Sequence, residues 1–123
     1  MRLTALIATL LLAAWPAAHA DLIEIRWSAD GRFTHQATIA AGKFFEVCGK
    51  LPAGVDVQWG FEAGAQVDFN IHYHVGKAVI VPSKQLAVRS GNDTLAIQTD
   101  QEYCWMWTNT SATPTLLSVS LQR

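Results

Sequence analysis

From Asp21 onward the hydrophobic period is two, and the alternation is cut roughly every ten residues by short groups rich in Gly, Pro, Asn or Asp. Those two signals together admit strands and reversals. They leave no place for a helix, because no stretch combines a 3.6-residue period with a cap and a workable length. The strand candidates are "LIEIRWS", "FTHQATIA", "KFFEVCG", "VDVQWGF", "AQVDFNIHYHV", "KAVIVP", "TLAIQT", "EYCWMWTN" and "TLLSVSL". Reversals are expected at "ADGR", "AAGK", "LPAG", "EAGA", "VGK", "RSGND" and "SATP". So many short strands are too many for one open sheet with a single buried face. The expected fold is all-β, a two-sheet antiparallel β-sandwich of about eight strands.

Residues 1–20 stand apart from this pattern. Arg2 gives a positive start, "LTALIATLLLAAW" an apolar stretch, and "AHA" ending at Ala20 a small-x-small cleavage site, the layout of a signal peptide. The apolar stretch is shorter than the roughly 20 residues of a membrane-spanning helix, and no second such stretch follows. The expectation is export, to the periplasm or the outside, of a single domain over residues 21–123 with no membrane span after signal cleavage. Losing Arg2 leaves eight Lys and Arg against ten Asp and Glu. With no basic cluster there is no counterion-release contribution to bind a polyanion, which argues against nucleic acid as a partner.

Two cysteines, Cys48 and Cys104, remain in the exported part. In an oxidising compartment the default is a disulfide, and a loop of that length makes it worth roughly 4 kcal/mol by chain entropy. The competing reading is a pair of reactive or metal-binding thiols.

In "AQVDFNIHYHV" Val67, Phe69, Ile71, Tyr73 and Val75 share one face, and Asp68, Asn70, His72 and His74 the other. A slip of one residue would bury four polar groups, so the faces are well specified. Side chains two apart on a strand lie about 6.5–7 Å from each other, close enough for two imidazoles to converge on one ion. His72 and His74 are thus half of a copper or zinc site, and a third ligand must come from elsewhere: His35, Met106, a free Cys104 or a carboxylate. His35 falls on the apolar face of its own strand, where a histidine is more often a core residue. The competing reading of the four polar residues is a solvated face that offers Asp68 and Asn70 to a binding partner, with no cofactor at all.

In "EYCWMWTN" Tyr103, Trp105 and Trp107 point one way and Cys104 and Met106 the other. Both faces are apolar. Either the strand is covered on both sides, or Trp105 and Trp107 form an exposed recognition surface.

The segments "FFEVCGKL", "QVDFNIHYH" and "YCWMWTNTSATPTLLSVSL" resemble the GOLD (Golgi dynamics) domain, the luminal β-sandwich of early-secretory-pathway cargo receptors. The positions that carry the resemblance are Cys48 at the end of a strand, Val67, Asp68 and Phe69, then Tyr103, Cys104, Asn109 and Ser111, and the closing Leu117, Val119 and Leu121. Tyr103 directly precedes Cys104 where that family has a spacer, and the coiled coil, membrane span and tail of the receptors have no counterpart. The resemblance implies a fold, a Cys48–Cys104 bridge and a binding role, without vesicle traffic.

For catalysis there is no nucleophile motif, no Gly-rich phosphate loop and no zinc-hydrolase helix motif. The function expected is therefore a non-catalytic module that binds a protein or small ligand; the alternative is metal binding through His72 and His74. "NDT" at Asn92 and "NTS" at Asn109 match glycosylation sequons, but Asn109 is better explained as a turn residue.

Overall fold

A computed structural model describes residues 21–123; the signal-peptide reading of residues 1–20 lies outside the described residues. Seven strands run β1 (Asp21–Glu24), β2 (Arg32–Ile39), β3 (Phe44–Leu51), β4 (Asp56–Val75), β5 (Ala78–Ala96), β6 (Gln101–Asn109) and β7 (Thr115–Gln122). The all-β expectation holds. Hydrogen bonding, however, does not separate into two sheets: it runs continuously through one strongly curled sheet, a half-barrel, in the order β1-β3-β6-β4-β7-β2 with β5 on β4. Nor is the pairing wholly antiparallel, since β1 runs parallel to β3.

The difference from the expected strand count has a local cause. "EAGA" and "RSGND" read as reversals, yet they are bends inside two long strands. Along one edge β4 pairs with β7 as far as Ala63 and then with β6 from Val67 to His72. Along the other it stays with β5 throughout, with its register shifted between Glu62 and Val67. Gly64 lies in that shifted stretch, and a Cβ there would sit 3.3 Å from Thr115 Oγ1. The two long strands are joined at a two-residue loop, Gly76–Lys77, with Gly76 at φ +58° where an L side chain is strained.

The concave side holds the core. Trp105, Trp107, Phe69, Ile71, Val47, Val57 and Val67 are at most 1% exposed. Trp107 is the hub of an aromatic cluster, with Phe69 at 5.5 Å and Phe61 edge-on at 5.6 Å between ring centroids. The curl brings β2 and β3 together although they lie far apart in the strand order: the His35 ring stacks on Phe45 at 5.4 Å and on Phe33 at 6.2 Å. Asn109 closes one end. It is fully buried, its Nδ2 donates to Ile39 O at 3.0 Å and Thr113 O at 2.8 Å, and its Oδ1 accepts from Ser111 N and Oγ. Asn109 is thus a structural residue of the turn, and its sequon is inaccessible in the folded chain.

Candidate functional site

The even-numbered residues of β3, β6 and the second half of β4 face outward as one surface. Register sets Cys48 opposite Cys104 opposite His72 in one row, and Glu46 opposite Met106 opposite Asn70 in the next. Cys48 and Cys104 form a disulfide that staples β3 to β6 across this face. The bridge removes Cys104 as a thiolate ligand. His35, on the concave side between Phe33 and Phe45, is likewise no partner of His72.

Each polar residue of "DFNIHYH" has a different task. The Asp68 carboxylate accepts the Ala87 N–H at 3.0 Å. Ala87 stands at φ +54°, at the point where β5 has one residue more than β4 between the pairs Val67–Val88 and Phe69–Gln85. Asp68 therefore pins a bulge. Asn70 Oδ1 lies 2.7 Å from His72 Nδ1. An amide oxygen only accepts, so Nδ1 carries the proton and the Nε2 lone pair of the neutral ring points the other way. There it meets Glu46 Oε2 at 3.7 Å, with the two side chains only 9% and 12% exposed. His74 is exposed, its ring edge-on to that of His72 at 5.3 Å.

Burial, with the nearby His74 charge second, holds the His72 imidazole below the ordinary histidine value. Burial also raises the Glu46 carboxyl above its ordinary value, with His74 pulling it back and Glu102 adding to the rise. Both effects work against an imidazolium–carboxylate ion pair between His72 and Glu46. Glu46 was not singled out in the sequence. Its only local signal is a position two before Cys48, on the same face of the same strand.

Trp105 and Trp107 have no exposed surface at all. The reading of them as a binding surface is corrected: both belong to the core, because their strand turns its odd positions into the concave side of the curl.

Exposed apolar surface collects elsewhere. β4 leaves β6 at His72, and residues 73–75 pair only with residues 78–80 of β5, so the hairpin tip runs on as a two-stranded ribbon. Val75, Val79, Ile80, Val81 and Leu86 are between 41% and 59% exposed. Among the described residues β5 pairs with β4 alone, leaving its other edge open. From Val75 to Asn92 there are three cations, Lys77, Lys84 and Arg89, and no acidic residue.

No protein-family model matches the chain, and no curated protein matches it either. Solved structures resemble it in fold. The periplasmic inhibitor of g-type lysozyme from Aeromonas hydrophila aligns with a TM-score of 0.53 at 17% identity, over 84% of this chain and 100% of that one. A mutant of the corresponding Escherichia coli inhibitor aligns at 0.58 and 8% identity, over 85% and 98%. The pre-peptidase C-terminal domain of a Bacillus anthracis collagenase aligns at 0.54 and 8%, over 89% and 100%. At these identities the likeness concerns the fold.

Proposed function

We propose that this chain is an exported, non-catalytic protein-binding module that seats its β4–β5 hairpin tip in the cleft of a glycoside hydrolase of the lysozyme kind. The observation that carries this reading is the ribbon itself: apolar side chains, an open strand edge and a cation, Lys77, in the two-residue loop at its end. Hydrolases of glycosidic bonds set a pair of carboxyl groups at the floor of a cleft. A narrow apolar probe with an ammonium at its point complements such a cleft in shape and charge. The open edge of β5 adds main-chain donors and acceptors for an extended segment of the partner. The fold is shared with two periplasmic inhibitors of g-type lysozyme, which makes that class of enzyme the first partner to test. The binding role implied by the GOLD-domain resemblance points the same way.

The test is inhibition of peptidoglycan hydrolysis by a g-type lysozyme, with the exported protein added in a concentration series. Expected is saturable inhibition that weakens about tenfold or more, at least 1.4 kcal/mol, in Lys77→Glu and in Val79→Asp with Val81→Asp, while the melting temperature stays put. Absence of binding, or inhibition that ignores both hairpin changes, overturns the reading.

A further inference from the structure

We propose that Glu46, His72 and His74 form a binding site for a divalent transition-metal ion on the outer face of β3, β6 and β4. This site adjoins the base of the hairpin ribbon through His74, which pairs with Val79, and does not rest on the lysozyme reading.

The first support is distance. Two donors bound to one zinc ion at 2.0–2.2 Å in a tetrahedral arrangement lie about 3.4 Å apart. His72 Nε2 and Glu46 Oε2 are 3.7 Å apart, so an ion enters with a movement of a few tenths of an ångström. Orientation is the second. The Asn70 amide oxygen holds the proton on Nδ1, which is the arrangement by which an outer partner fixes a metal-binding imidazole in its tautomer and direction. Third, on two largely buried side chains two electron-rich atoms face each other, and neither Nε2 nor the Glu46 carboxylate has another hydrogen-bond partner among the described residues. A cation between them satisfies both.

His74 supplies the third ligand. It is exposed on the same face, two residues along the strand with its ring centroid 5.3 Å from that of His72, and must turn its ring to reach the ion. The fourth position stays open to water or to a group from outside. Cys104 has its sulfur within 4.8 Å of both Glu46 and His72, but the bridge to Cys48 withholds it. The donor set is therefore two imidazoles and one carboxylate, which suits Zn(II), Cu(II) or Ni(II) and not the all-oxygen preference of Ca(II) or Mg(II).

The test is calorimetric titration of the oxidised, chelator-treated protein with Zn(II) and Cu(II), paired with ¹⁵N NMR of the histidine rings. Expected is one ion per chain, a His72 Nε2 resonance that shifts on zinc addition, and an Nδ1 that stays protonated. Asn70→Ala should weaken binding by about 10–100-fold as a positioning residue, and His72→Gln should abolish it. Glu46→Gln keeps the shape of the side chain and provides the control should His72→Gln fail to fold. Binding absent at millimolar metal overturns the proposal, as does binding that survives Glu46→Gln unchanged. So does a His72 ring that stays an imidazolium paired with Glu46 and does not respond to metal.

Discussion

The two halves of the outer surface have the same binary pattern and opposite character. On β3, β6 and the second half of β4, outward residues are stitched together: a disulfide, a histidine between an amide and a carboxylate, and an aspartate holding a bulge. On β2, β7 and the first half of β4, residues such as Thr34, Gln36, Gln58, Ser118 and Ser120 are exposed, and none of these side chains hydrogen-bonds to another. Polar alternation alone thus does not separate a solvated face from an organised one. What separates them is the type of side chain that register places side by side across strands.

This contrast can be tested in order of expected effect. Replacing both cysteines, Cys48→Ser with Cys104→Ser, should cost about 4 kcal/mol in a denaturant titration, the chain-entropy value for a loop of this size; a loss under about 1 kcal/mol would mean that β3 and β6 are held without the staple. Asp68→Ala should cost about 0.5–1.5 kcal/mol, the net worth of the hydrogen bond from the exposed Ala87 N–H, and hydrogen exchange should quicken at Ala87 and its β5 neighbours.

The third check is pH. A histidine whose folded-state pKa is depressed contributes stability that is complete above its ordinary value of 6.5 and is lost as pH falls below it, because the unfolded chain takes the proton first. Melting temperatures of the metal-free protein should therefore climb as pH rises to that value, and His72→Gln should flatten the climb. Glu46 acts with the opposite sign: its raised pKa favours the fold below the ordinary 4.5, and that contribution fades as pH rises through the folded value, with His74 and Glu102 as the other ionisable groups facing it. A climb unchanged in His72→Gln would place its origin elsewhere. The smallest effect belongs to the other half, where Ser118→Ala with Ser120→Ala should leave stability within about 0.5 kcal/mol. A larger loss there would break the contrast.

Much of this was legible along the chain. Period-two alternation correctly divided "AQVDFNIHYHV" into faces, and it placed Trp105 beside Trp107 and Cys104 beside Met106. The disulfide follows from two cysteines in a chain whose sequence reads as exported. Strand count was misjudged because Gly64 and Gly91 look the same to local rules whether the chain reverses or only bends. The distinction lies in which strands pair with β4 on either side of the bend, and that is set by β6 and β7, far along the sequence. Glu46 was missed for the same reason. Its neighbour His72 is two strands away across β6, and no spacing rule reports a diagonal contact between non-consecutive strands.

β4 belongs to both halves, and its role extends to how the chain folds. Its hairpin with β5 closes through a two-residue loop, the shortest connection between strands among the described residues, and so carries the smallest chain-closure cost among them. β6 lies on one stretch of its other edge and β7 on the next. Because a single strand serves both, neither half can come apart and leave the other with a complete edge. Unfolding is therefore expected as one cooperative event, with tryptophan fluorescence and far-UV circular dichroism changing together, and a change at the bend of β4 should lower the stability of the whole chain rather than of one side.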